Sequence, residues 1–178
     1  REASAPAPAP APAVAARPAA PPPEMSAPPP VDEEFVVDRK MAMACFDQGE
    51  QRKSAKAALE AMGYFVHCPE KNDEAIHRIR RTKYEILLLH AEFGGSEEAN
   101  SVLKTLQPMA MAHRRHMCVG LVGKSFRSMD NMAAFAKSVS FVVAEREFGK
   151  VEAILRQAVA DNDMFYRGFR EALKEAGR

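Results

Sequence analysis

The side chains able to do chemistry in this chain gather at the ends of short apolar runs. Asp47 follows Lys40 to Phe46, His90 ends the run Tyr84 to Leu89, Gly123, Lys124 and Ser125 follow Met117 to Val122, and Ala144 and Glu145 follow Val139 to Val143. A carboxylate and an imidazole at neighbouring strand ends are the material of acid–base work, of a metal site, or of a plain hydrogen-bonded pair. Catalysis needs in addition a nucleophile and donors for developing charge, and no such set can be assembled around His90, so no enzyme is expected. Cys45, His67, Cys68 and His90 have the residue types of a soft-metal site, but adjacent strand residues point to opposite faces and four ligands would not converge. Gly120 to Ser125 ends in Gly-Lys-Ser, yet a phosphate-binding loop needs four residues between its glycines and this one has two. His113-x-x-His116 lacks a third ligand and reads as a helix exit. Neither a metal nor a cofactor is expected.

The elements that must position these groups follow from periodicity. Behind Lys40 to Phe46, residues Gln51 to Met62 put Ala55, Ala58, Leu59 and Met62 on one helical face, and Gly63 stops the pattern. Tyr64 to Cys68 reads as a second strand, and a helix from Asn72 to Thr82 carries Ala75, Ile76 and Ile79 inward. After the third strand a helix from about Glu97 to His113 buries Val102, Leu103 and Leu106, with Pro108 ending or kinking it. A helix near Asp130 to Lys137 follows the fourth strand. One from about Gly149, with Val151, Ile154, Leu155, Ala158 and Val159 inward, follows the fifth. Strands apolar at nearly every position and alternating with helices indicate a parallel sheet covered on both faces. The expected fold class is α/β: a flavodoxin-like doubly wound five-stranded parallel sheet, order 2-1-3-4-5, with an extra C-terminal helix. Its strand ends would collect Phe46, Asp47, His90, Gly123, Lys124, Ala144 and Glu145 on one edge, where such folds bind ligands.

Three regions are expected: a disordered Pro/Ala-rich linker over residues 1–34, a domain over 35–161 and a C-terminal helical extension over 162–178. Residues 1–30 hold 11 of the 13 prolines, and proline fixes φ and removes a donor, which gives an extended spacer. A spacer at the start, with no initiator Met, suggests an upstream module. The 25 basic and 24 acidic residues nearly cancel, and the basic stretches Arg78 to Arg81 and His113 to His116 are short, so no nucleic acid is expected as partner. No apolar run approaches the ~20 residues of a membrane span, so no membrane partner is expected either. Cys45, Cys68 and Cys118 have no C-x-x-C spacing and lie in or at the end of apolar runs, as reduced core residues of a cytoplasmic protein do. Phe165, Phe169 and Leu173 recur every four residues, a stripe that either folds back on its own domain or docks a protein partner, a homodimer through the C-terminal helices being one such use, and Asp161 or Asp163 is placed to cap a separate final helix.

The spacing from Asp47 to Gly63-Tyr64 and on to the strand ending in His90 resembles that of response-regulator receiver domains over roughly residues 39–161. The resemblance implies an acidic pair holding Mg²⁺ after the first strand, an acceptor aspartate after the third, a hydroxyl after the fourth and a Lys after the fifth. Laid on this chain, those positions fall at Phe46 and Asp47, His90, Gly123 and Ala144, so the pocket is degenerate and only Asp47 keeps its residue type. Glu92, Lys124 and Glu145 each stand one or two residues from a required position. The resemblance therefore implies a non-phosphorylatable pseudo-receiver that signals through protein–protein contact, with His90 as a partly buried imidazole hydrogen-bonded to Asp47 or a backbone carbonyl. From the resemblance alone, the contact surface is expected to include Met129, Phe135, Phe141 and Phe148, joined by Phe165, Phe169 and Leu173. A small-molecule or metal sensor binding at the strand ends is the alternative.

Overall fold

The computed structural model describes residues 39–177; the linker expected over residues 1–34 lies outside them. Five parallel strands form one sheet in the order β2-β1-β3-β4-β5. They are β1 (Met41–Cys45), β2 (Phe65–His67), β3 (Ile86–His90), β4 (Cys118–Gly123) and β5 (Phe141–Ala144). The helices are α1 (Glu50–Ala61), α2 (Asn72–Arg81), α3 (Ser101–Leu106), α4 (Met111–Arg114), α5 (Asn131–Lys137) and α6 (Val151–Glu175), the last entered through a 3₁₀ turn over Glu145–Lys150. This is the expected doubly wound arrangement, and the switch in strand order falls between β1 and β3.

The two-residue alternation of the strands sorts the core into two layers. Met43, Leu87, Leu89, Val119, Leu121 and Val142 pack with Ala75 and Ile79 of α2, Val102 and Leu106 of α3, and Ala134 of α5. Ala42, Ala44, Ile86, Leu88, Val122 and Val143 face the other way, against Ala55 and Leu59 of α1 and Val151 and Leu155 of α6. All five residues of β3 are buried, as befits the central strand. Burial on both faces explains why its sequence is apolar without alternation.

The local stops follow from residue chemistry. Gly63 takes φ +86° just past α1, a conformation that favours glycine at a helix end. Asp130 caps α5 by accepting the amides of Met132 and Ala133 at 2.9 and 3.0 Å. The helix expected from Glu97 to His113 is not continuous. Residues Glu97 to Ala99 are turn, Asn100 caps α3, and Pro108 breaks the path, so that α4 starts afresh at Met111. Nor do Asp161 and Asp163 cap a separate final helix: α6 runs through both for 25 residues, and the C-terminal helical segment is its continuation. Exposed Asp side chains are tolerated inside a helix whose inner stripe is held by Val151, Leu155 and Ala158.

Candidate functional site

The exit of β3 is fixed by Asn100, a fully buried polar residue. Its Nδ2 donates to the carbonyls of His90 and Ala91 at 3.0 and 3.1 Å, and its Oδ1 accepts the Leu103 amide at 3.1 Å. One side chain thus caps α3 and satisfies the two carbonyls where the central strand leaves the sheet. On the other side, the Ala91 amide donates to the Val122 carbonyl at 2.7 Å.

His90, held there, is 8 % exposed. The Glu92 amide donates to Nδ1 at 3.2 Å, which places the proton of the neutral ring on Nε2. Nε2 faces the Glu145 carboxylate with Oε2 4.0 Å away, beyond hydrogen-bond reach, and both of these buried atoms lack a hydrogen-bond partner. The other oxygen of Glu145, Oε1, accepts from Gln51 Nε2 at 2.7 Å. The Phe46 ring lies 5.9 Å from the imidazole and packs edge-on to Phe148 at 5.4 Å. Gln51 of α1, His90 of β3 and Glu145 beyond β5 therefore meet over an aromatic floor. A hollow of about 260 Å³ bounded by Asp47, Gln48, Gly49, Glu50, Gln51 and His90 opens beside them, and one of about 430 Å³ is bounded by Gln51, Lys124, Glu145 and Arg146.

The expected partner of His90 was Asp47 or a carbonyl; its bonded partner is a backbone amide, and the carboxylate it faces is Glu145. Asp47 sits at the mouth of the smaller hollow and is exposed. Gly123 is buried under Phe126: a Cβ there would stand 2.8 Å from the Phe126 ring and 3.3 Å from the Ala91 methyl. Ala144 is buried, and its amide donates to the Ser128 hydroxyl at 2.9 Å. Lys124 turns to Glu92 at 3.0 Å; that hydrogen bond pulls the Glu92 carboxyl below its ordinary range and raises the Lys124 ammonium. Sequence reasoning missed Gln51 and Asn100, whose only signals were a polar residue opening a helix and an Asn before an apolar run.

The donor set does not fit Mg²⁺. Phe46 offers no side-chain oxygen, His90 offers imidazole, and this ion demands near-octahedral oxygen ligation. Among the described residues, no three His, Cys, Asp or Glu side chains meet in a way that could hold a metal ion. Of the four soft ligands considered earlier, His67 Nδ1 is instead engaged with the Tyr84 hydroxyl at 2.7 Å. Cys45, Cys68 and Cys118 are free thiols, two of them buried. Burial raises the Cys45 thiol and pushes Cys118 up to about 12. Gly120 to Ser125 forms a strand and its exit, with Gly120 under the Phe141 ring.

The expected contact surface divides. Phe141 and Phe148 are core residues, 3 % and 7 % exposed, because the Phe141 ring fills the space over Gly120 and Phe148 packs on Phe46. Met129 is half-buried against the same layer. Phe135 and Phe165 stand out at 81 % and 79 %, whereas Phe169 and Leu173 are half-buried, Phe169 under the Arg115 guanidinium at 4.3 Å. Among the described residues, no helix is long and apolar enough to cross a membrane.

No protein-family model matches the chain, and no curated protein matches it by sequence. Solved structures do. A chemotaxis response regulator CheY4 of Vibrio cholerae superposes with TM-score 0.52 at 10 % identity, over 67 % of this chain and 98 % of that one. The signal receiver domain of a putative Luxo repressor protein from Vibrio parahaemolyticus gives 0.54 at 13 %, covering 71 % and 94 %. That of an HD domain-containing protein from Pseudomonas fluorescens gives 0.54 at 11 %, covering 77 % and 98 %. Residues 39–177 carry the fold of response-regulator receiver domains.

Proposed function

We propose that this is a receiver-fold signalling domain in which aspartyl phosphorylation is lost and output is made by protein–protein contact, in the cytoplasm and tethered to an upstream module through residues 1–34. The observation that carries the reading is the state of His90. The residue at the acceptor position is an imidazole whose Nδ1 is occupied by the Glu92 amide and whose Nε2 is buried against Glu145. An attack on a phosphoryl donor needs an exposed nucleophile and a cation to neutralise the transferred oxygens; Ala144 and Phe46 supply neither. Of the apolar side chains expected at the contact surface, Phe135 and Phe165 are the most exposed, and pairing of two copies through α6 is one use of Phe165.

Incubation with acetyl phosphate and Mg²⁺, followed by intact-mass measurement, tests the reading. No phosphate adduct is expected on the wild type, and none on His90→Asp, which restores one carboxylate without the rest of the pocket. An adduct on His90 would overturn it. The second reading, a small-molecule sensor, is favoured by the two orphaned buried atoms beside the hollow. A saturable rise in melting temperature with a small polar ligand, abolished by Glu145→Gln, would select it.

A further inference from the structure

The fold sorts charge in a way the sequence order hides. Because the strands are parallel, the residues entering them all lie along one edge of the sheet, opposite His90 and Glu145. Lys40 enters β1, Arg80, Arg81 and Lys83 precede β3, and Arg114 and Arg115 precede β4. Lys40 and Lys83 lead into the adjacent strands β1 and β3, which are ~5 Å apart, with Arg80 and Arg81 in the last turn of α2 and Arg114 and Arg115 at the end of α4 ahead of β4. Lys40, Arg80, Arg81 and Lys83 are exposed, and among the described residues no ion pair to a carboxylate engages Arg80, Arg81 or Lys83. The end of α6 flanks the same edge: Phe169 lies under Arg115, and Asp163 acts on the Tyr64 hydroxyl and the Cys118 thiol at the starts of β2 and β4. Half-buried Tyr166, Phe169 and Leu173 share one side of that helix end, with exposed Arg167 and Lys174 beside them.

We infer that this strand-entry edge, together with the end of α6, is a docking surface for an acidic, amphipathic polypeptide segment. Charge complementarity selects an anionic occupant, and the detail selects a polypeptide over a membrane or nucleic acid. Glu85 and Asp163 sit within the patch around Tyr64, Asp163 already paired to Arg170 at 2.7 Å. A uniform surface of phosphates would press against both carboxylates and leave the Tyr166–Phe169–Leu173 stripe unused. A polypeptide can place acidic side chains on Arg80, Arg81 and Lys83 while its apolar side chains cover the stripe. Arginine and aromatic side chains together are also what protein interfaces concentrate.

The inference rests on the protein-contact reading, and its test is separate from the phosphorylation test. The full chain is titrated with a labelled helical 16-residue peptide of Glu and Leu at amphipathic spacing, with its Lys-for-Glu counterpart, with a 20-base-pair DNA duplex, and with vesicles containing anionic phospholipid. Saturable binding of the Glu/Leu peptide alone is expected, weakened at least tenfold by Arg80→Glu with Arg81→Glu, several-fold by Phe169→Ala, and not by Lys124→Glu at the opposite edge. Failure of the Glu/Leu peptide to bind, indifference to the Arg80 and Arg81 reversals, or equal or tighter binding of duplex or vesicle would each overturn the inference. A phosphate adduct on His90 would instead overturn the reading beneath it and leave the peptide result to be judged by itself.

Discussion

At the scale of single residues, the strand-end pocket is defined by what has filled it. Gly123 lacks a side chain because the Phe126 ring occupies the place where one would go, and the Ala91 methyl closes the other side. A hydroxyl residue at this position would meet the core. Gly123→Thr is therefore expected to destabilise the fold by about 1–3 kcal/mol through overpacking, read as a lower urea midpoint with unchanged slope, and Phe126→Ala in the same chain should recover part of the loss. His90 follows the same logic. Its site has one amide donor for Nδ1 and a carboxylate in front of Nε2, an environment that accepts a neutral imidazole with its proton on Nε2 and repels a second carboxylate.

At the scale of elements, the position of His90 depends on a residue that touches neither its ring nor the hollow. Asn100 joins the exit of β3 to the first turn of α3 with three hydrogen bonds inside a dry environment. Asn100→Ala leaves the Ala91 carbonyl and the Leu103 amide without that partner, while the His90 carbonyl keeps the Phe93 amide at 3.1 Å. With ~1–3 kcal/mol for each buried group left unsatisfied, a loss of at least about 2 kcal/mol is expected in chemical denaturation, with faster amide exchange at Leu103 and Ala91. A drop under 0.5 kcal/mol, on the order of a surface substitution, would show that water replaces the amide. The helices follow a different rule. The long α6 tolerates Asp161, Asp163 and Gly168 in its interior because its inner stripe is anchored on the sheet, whereas Pro108 divides the path into α3 and α4, since no packing replaces the amide it lacks.

At the scale of the whole molecule, the two buried thiols make stability depend on alkaline pH. Burial raises both Cys45 and Cys118 above the ordinary thiol range. The folded state then holds protons that the unfolded state releases, so the contribution is present in full below about pH 9 and is lost as pH climbs from the unfolded value toward the folded one. For each thiol the unfolding free energy is expected to fall by about 1.4 kcal/mol per pH unit in that window, measured by urea titration between pH 8 and 10.5. Cys118→Ala should flatten the slope by one thiol's share; an unchanged slope would place the dependence elsewhere. The charge distribution belongs to this scale too. A chain of nearly balanced charge carries Arg80, Arg81, Lys83 and Arg115 at the strand entries beside Glu85, and Asp47, Glu92 and Glu145 at the strand ends beside Lys124 and Arg146.

Local pattern was enough to determine the five strands, that they are parallel and where their ends gather, because two-residue and 3.6-residue periodicities and the hand of βαβ crossovers are properties of short segments. The order 2-1-3-4-5 was instead expected from the match of five β/α units to a doubly wound fold. Local pattern was also enough to place Asp47, His90, Gly123 and Ala144 at the strand ends, since those positions are counted from the apolar runs. What only the tertiary structure decided was which side chains meet. Gln51, His90 and Glu145 are brought together from positions up to 94 residues apart. Phe141 and Phe148 turn inward because Gly120 and Phe46 leave room for their rings, and the basic edge assembles from short stretches that look like ordinary solvated helix ends in the sequence. Burial and charge at a point are sums over neighbours from distant parts of the chain, and such sums exist only once the strands have been laid side by side.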